Sequence, residues 1–151
     1  MTINKGLFTS NKDDWETPQD LFDKLNKKYK FSWDLAASSE NHKVNNYFSE
    51  EDNSLVKPWH SLGGALWLNP PYGRKIGLWV KKAYEESLET DSPIVLLIPA
   101  RTDTSYWHDY IFGKAHIKFI RGRIKFERNG VPKDAAPFPS AIVVYNYREN
   151  N

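Results

Sequence analysis

The run Ala65-Leu66-Trp67-Leu68, followed without a break by Asn69-Pro70-Pro71-Tyr72-Gly73, constrains this chain more than any other feature. Four apolar residues closed by a proline pair read as a short buried strand that stops abruptly in a rigid loop. Open α/β sheets bind their ligands at such carboxyl ends. Proline fixes φ and donates no backbone hydrogen bond, so the carbonyls around Pro70 and Pro71 are held out as rigid acceptors. Beside them stand the amide oxygen of Asn69 and the ring of Tyr72. Together these groups can accept both hydrogens of a planar –NH2 while stacking on the ring that carries it. A proline turn that merely closes a strand, with Tyr72 as packing, is the plainer reading.

The neighbouring segments predict the fold around that strand. Thr17-Pro18 predicts a helix start, with Thr17 as N-cap and Pro18 at the first helical position. Leu21, Phe22, Leu25 and Tyr29 then fall on one face. Phe31–Leu35 reads as a short strand, and 36–61 is irregular, with one helical turn near Glu40–Asn46. Ile76–Glu89 is amphipathic, turning Trp79, Val80, Ala83 and Leu88 inward. Ile94-Val95-Leu96-Leu97-Ile98 is a continuous apolar run, as expected of a strand covered on both faces. A helix over Ser105–Phe112 is capped by Asp103 or Thr104 and stopped by Gly113. His116–Ile120, Arg123–Glu127 and Ala141–Tyr147 predict three strands with antiparallel pairing. Strands alternating with helices, then an antiparallel set, predict a three-layer α/β fold with a mostly parallel sheet in one domain. Residues 1–14 read as a loose polar arm.

Composition narrows the chemistry. The chain has 151 residues and no cysteine, which excludes disulfides and zinc–thiolate sites and is compatible with a reducing cytoplasm. No apolar stretch approaches the roughly 20 residues of a membrane span, and the N-terminus lacks a signal peptide's apolar segment. The four histidines have no ligand-like spacing, so no metal site is expected. A net charge of +2 is too small to argue nucleic-acid binding by itself. Its distribution is uneven, with acids around Asp13–Asp23 and Glu50–Asp52 and cations at Arg121, Arg123, Lys125, Arg128 and Lys133. Six tryptophans and eight tyrosines supply core material and also stacking surfaces for bases.

Taken in order, Trp15-Glu16-Thr17-Pro18, Asp34-Leu35-Ala36-Ala37-Ser38, Asn69-Pro70-Pro71-Tyr72-Gly73, Pro99-Ala100-Arg101-Thr102-Asp103-Thr104 and Gly122-Arg123-Ile124-Lys125-Phe126, with Phe138-Pro139-Ser140-Ala141, resemble the phage and prophage family of DNA N6-adenine methyltransferases. The resemblance runs from about Asp14 to Tyr145. It implies a minimal Rossmann-like fold dependent on S-adenosylmethionine, as a single methyltransferase domain without a separate target-recognition domain. It also implies Asn69, Pro70, Pro71 and Tyr72 as catalytic residues. Trp15, Thr17, Pro18, Asp34, Ala36, Asp52 and Asn69 are implied as cofactor contacts, with Asp34 on the cofactor's ammonium and Asp52 on its adenine. Thr17 offers a hydroxyl, and its helix free N–H groups, to a carboxylate. DNA is the implied partner, contacted by Arg74, Arg101, Arg121, Arg123 and Lys125.

Two departures stand out. Methyltransferases usually carry a glycine-rich loop after the first strand, whereas this chain has Ala36-Ala37-Ser38-Ser39, residues that disfavour φ > 0. About seventeen residues separate Asp34 from Asp52, too few for a full strand–helix–strand crossover and a further loop. The acid that normally holds the ribose therefore has no clear counterpart, with Glu40 and Asn41 as candidates. Cytosine N4 methylation and glutamine-amide methylation share the quartet's chemistry. A non-catalytic DNA-binding protein on the same fold is the rival from another class. Asn69 favours adenine over cytosine.

Overall fold

A computed structural model describes residues 15–149; the arm expected over 1–14 lies outside the described residues. The main sheet has five strands in the order β1-β2-β3-β7-β4. They are β1 (Phe31–Asp34), β2 (Ala65–Leu68), β3 (Ile94–Pro99), β4 (His116–Phe119) and β7 (Ser140–Tyr145). A two-stranded ribbon, β5 (Glu127–Arg128) with β6 (Val131–Pro132), lies between β4 and β7 in the chain. β1 pairs with β2 and β2 with β3 in parallel, while β7 runs antiparallel to both β3 and β4. The sheet is thus evenly divided, not mostly parallel. β1 through β4 all point the same way, so their carboxyl ends share one rim, where β7 begins.

The apolar runs are buried because the sheet is covered on both faces. Every residue of β2, β3 and β7 is buried, as continuous apolar strands require. Helix α1 (Gln19–Tyr29) sets Phe22 against Phe31 and Trp67, at ring-centroid distances of 5.6 and 5.3 Å. It ends at Lys30 in the left-handed region (φ 56°), with the Lys30 N–H donating to Asn26 O at 2.8 Å. Helix α2 (Ile76–Ser87) buries Val80 and Ala83 as expected, but Leu88 falls beyond its last residue and is 66% exposed. The segment over Trp107–Ile111 is helical with π geometry; the Trp107 N–H donates to Thr104 Oγ1, which settles the cap, and Gly113 (φ 79°) follows.

Three further expectations are corrected. Pro18, not Thr17, is the N-cap of α1, and the cap position makes no side-chain hydrogen bond to the helix; Thr17 is instead buried. No helical turn forms at 40–46. The chain returns beside β1 there: the Asp34 N–H donates to Asn46 O, the Phe48 N–H donates to Asp34 O, and Tyr47 bridges Asp34 in parallel. Single 3-10 turns follow at Glu50–Asp52 and Ser54–Val56. Finally, 121–126 pairs in no strand, although burial alternates as predicted: Arg121, Arg123 and Lys125 are exposed while Ile124 and Phe126 are buried. Gly122 (φ 78°) turns the chain just after Arg121.

Residues 57–60 are clamped to α2 by one carboxylate. Glu86 Oε1 accepts the backbone N–H groups of Trp59 and His60, each at 2.7 Å, and contacts His60 Nδ1; Oε2 accepts Lys82 Nζ at 2.8 Å. Burial works against ionisation of Glu86, yet these donors hold it down to about 2.

Candidate active site

A cavity opens on the carboxyl rim of β1 and β2, lined by Thr17, Asp34, Ala36, Asn41, Lys43, Trp67 and Asn69. Four of these, Thr17, Asp34, Ala36 and Asn69, are residues that the sequence pointed to. Asn41 was one of two candidates for holding a ribose; the other, Glu40, is exposed and does not line the cavity. Trp67 and Lys43 were missed. Alternation along β2 puts Trp67 on the same face as Asn69, so Trp67 was legible. Lys43 sits in irregular chain and had no signal.

Asp34 ends β1 and is only 3% exposed. Its Oδ2 accepts the Lys43 N–H at 2.9 Å and its Oδ1 faces the Ala36 N–H at 3.4 Å. Burial pushes the carboxyl up to about 6, against the pull of these N–H groups and of the Lys43 and His42 charges. The short loop after β1 therefore wraps a carboxylate with the backbone N–H groups of Ala36 and Lys43.

Asn69 leaves β2 at the far wall of the cavity. Its Nδ2 donates to Trp15 O. A carbonyl can only accept, so this bond fixes which end of the amide faces Trp15. Oδ1 is turned the other way, and it is buried without a hydrogen-bond partner among the described residues. Buried acceptors are rarely left unpaired.

Pro70 is buried and Pro71 half-buried. Tyr72 is 6% exposed, and its hydroxyl donates to Leu97 O at 2.8 Å. Its ring lies nearly parallel to that of Trp15 (centroids 6.4 Å apart, 19°) and edge-on to Phe126 and Phe138. Trp15 also meets Phe126 and Phe138 edge-on, at 5.6 and 5.1 Å. Trp15 is absent from the cavity lining and belongs to this aromatic box. Any guest that stacks on Tyr72 must displace one of its ring neighbours.

The 120–139 excursion supplies half of the box and ties it to the N-terminal segment. The Glu127 N–H donates to Glu16 O at 2.9 Å, and Glu127 Oε2 accepts the Gln19 N–H at 3.4 Å. Pro18 itself is half-buried at the head of α1. Arg101, exposed after β3, sets its guanidinium 5.7 Å from the centre of the Phe138 ring. Arg74 is exposed beside the motif loop. Arg123 reaches back to Ala136 O at 3.4 Å, which braces the excursion. Asp52 has another engagement: its Oδ2 accepts the N–H and Oγ–H of Ser49, which lower its pKa, and it does not line the cavity. Among the described residues, no group of three His, Cys, Asp or Glu side chains could hold a metal ion.

Residues 5–149 match the family described as DNA N-6-adenine-methyltransferase (Dam). The chain is 34% identical over 120 residues to the DNA N-6-adenine-methyltransferase of Escherichia phage T1, covering 79% of this chain and 49% of that protein. It is 29% identical over 141 residues to the protein of the same name from Haemophilus phage HP1, covering 90% of this chain and 80% of the relative. A shorter match, 37% over 65 residues, is to the putative methyltransferase YfdM of Escherichia coli K12. The chain thus spans about half the length of the phage T1 relative and four fifths of the HP1 relative. It belongs to the DNA N-6-adenine-methyltransferase (Dam) family.

Proposed function

We propose that this chain transfers a methyl group from S-adenosylmethionine to the N6 amino group of adenine in DNA. The observation that carries the reading is Asn69 Oδ1, a buried acceptor without a partner among the described residues, on the rim of a cavity that also holds the buried carboxylate of Asp34. Family membership supplies the substrate and the cofactor class. The five-strand sheet is then a reduced form of the Rossmann-like methyltransferase fold, with helices on both faces and the ligands at the carboxyl rim.

The donor set of the cavity fits the cofactor. Asp34 suits its ammonium, Thr17 and Asn41 offer polar contacts, and Trp67 and Ala36 offer apolar wall. When bound there, S-adenosylmethionine supplies an electrophilic methyl group. Everything else falls to the chain. The N6 amine is a poor nucleophile because its lone pair is delocalised into the adenine ring. Asn69 Oδ1 accepts one of its hydrogens and the Pro70 carbonyl the other, which draws the nitrogen towards tetrahedral geometry and frees the lone pair. The positive charge that develops on nitrogen lies against these same fixed dipoles, so stabilisation requires no reorganisation. Tyr72 receives the base by stacking once the base has left the duplex and has displaced part of the aromatic box. No covalent enzyme intermediate is involved. Arg74, Arg101, Arg121 and Lys125, all exposed, are the proposed phosphate contacts, which would hold the strand in register without reading sequence.

Incubation of the chain with DNA and S-adenosylmethionine, followed by nucleoside digestion and mass spectrometry, tests the reading. N6-methyladenine is the expected product. N4-methylcytosine would reassign the base, and no methylated nucleoside would overturn the catalytic reading.

A further inference from the structure

Two residues of opposite charge, Asp34 and Lys43, line the cavity, and only Asp34 has a role so far. Lys43 lies three residues after the exposed turn at Glu40. Its position is built rather than incidental. The Lys43 backbone N–H donates to Asp34 Oδ2 at 2.9 Å, which pins the residue at the cavity wall. Its ammonium donates to Gln19 Oε1 at 2.9 Å, at the first residue of α1. Gln19 is itself held, because its Nε2 donates to Asp23 Oδ1 at 2.8 Å and so turns Oε1 towards the lysine. The relay Asp23–Gln19–Lys43 fixes an ammonium beside the head of the helix that begins just after Thr17 and Pro18.

A lysine and a buried carboxylate on the wall of one cavity match a zwitterion. The amino-acid tail of S-adenosylmethionine carries an ammonium and a carboxylate on one carbon. We infer that Lys43 is the carboxylate anchor of the cofactor tail, paired with Asp34 as the ammonium anchor. This assignment rests on the proposed use of S-adenosylmethionine. It accounts for a feature that Asp34 alone leaves open: a carboxylate entering beside Asp34 would be repelled unless a cation stood on its other side. Among the described residues Lys43 keeps two hydrogens free after its bond to Gln19, since an ammonium has three. The loop thereby uses one residue twice, its backbone for Asp34 and its side chain for the ligand.

That division makes the test clean, because replacing the side chain leaves the N–H to Asp34 in place. Calorimetry would measure S-adenosylhomocysteine and 5′-methylthioadenosine, which lacks the amino-acid tail, against the parent chain, Lys43→Met and Lys43→Arg. Lys43→Met should weaken S-adenosylhomocysteine by about 10- to 100-fold, the scale of one charge-assisted hydrogen bond. It should leave methylthioadenosine within about twofold, and Lys43→Arg should recover most of the loss. If Lys43→Met binds S-adenosylhomocysteine like the parent, the anchor role is wrong while the cofactor reading survives. Equal loss for both compounds makes Lys43 a structural part of the loop and overturns the assignment. A parent chain that binds neither compound removes the cofactor reading and this inference together.

Discussion

Replacing Asp34 with asparagine should make the ligand-free protein more stable at neutral pH and a worse binder of its cofactor. The carboxyl is 3% exposed and is pushed up to about 6, chiefly by burial. A folded-state value above the ordinary 3.8 means that the folded chain binds this proton more tightly than the unfolded chain does. The contribution of Asp34 to stability therefore falls as pH rises from about 4 through 6, and stays low above that. The difference of about 2 pH units corresponds to about 3 kcal/mol lost by pH 8. Asparagine escapes that cost. It can accept one of the two N–H groups from Ala36 and Lys43, but its NH2 then faces the other donor, a mismatch of about 1–2 kcal/mol. The net gain at pH 8 is about 1–2 kcal/mol, or roughly 3–6 °C in melting temperature for a chain of this size. Thermal melts from pH 4 to 8.5 would read it. The advantage of Asp34→Asn should shrink as pH falls through 6, and the parent should be the more stable near pH 4. A variant destabilised equally at every pH would refute the account of a desolvated charge. In the same samples S-adenosylhomocysteine should raise the parent's melting temperature and barely move the variant's, because the ammonium has lost its partner.

Four other outcomes follow from the geometry. Asn69→Ala should lower methyl transfer by at least about 100-fold in single-turnover assays while S-adenosylhomocysteine affinity stays within a few-fold; retained turnover would remove Asn69 from the chemistry. Tyr72→Phe should cost about 1–2 kcal/mol of stability, because Leu97 O loses its buried donor, yet keep appreciable turnover that Tyr72→Ala lacks; if Phe is as inactive as Ala, the hydroxyl and not the ring is the working part. Glu86, held at about 2 against an ordinary 4.5, contributes stability that is present above 4.5 and lost as pH falls through 2, so Glu86→Gln should lower the melting temperature at pH 7 by an amount that vanishes towards pH 2; a constant difference would deny the charge any part. Arg121→Ala with Lys125→Ala should weaken DNA binding across all sequences and reduce the salt slope by roughly one unit per lost contact; unchanged titrations would move the DNA path to Arg74 and Arg101.

What the sequence revealed was set by the range of each interaction. β2, β3 and β7 are continuous apolar runs, and burial on both faces leaves a pattern that needs no partner to be seen. Asn69 and Tyr72 stand out because prolines restrict the backbone locally. The limits of β5 were hidden because 121–126 alternates like a strand, exposing Arg123 and Lys125 and burying Ile124 and Phe126, while its covering layer is an aromatic box and not a ladder. Thr17 read as a cap because threonine before proline is ordinary helix-start chemistry; tertiary burial took the side chain for the cavity instead. Lys43 was invisible for a different reason. Its role comes from a backbone N–H reaching Asp34 and a side chain reaching Gln19, and neither contact has a fixed sequence spacing.

The shortened sheet explains why these long-range contacts gather on the cofactor side. Where a full crossover would lay another strand beside β1, only 46–48 returns to it, and the Asp34 backbone is bonded on both sides by that return. The Asp34 carboxylate is closed over by the next turn of the same loop through Lys43. One residue thus holds the loop by its main chain and the cavity by its side chain, so order in residues 35–48 and readiness of the cofactor site are coupled. A cation brought against Asp34 would relieve the cost of the buried charge. The base side is built differently. Asn69 is oriented through Trp15, Trp15 is packed by Phe126 and Phe138, and Glu127 ties the excursion to Glu16. The excursion also reaches the cavity wall, because Glu127 Oε2 accepts the Gln19 N–H and Gln19 Oε1 accepts from Lys43 Nζ, so a nucleic acid that moves 120–139 would act on both Asn69 and Lys43.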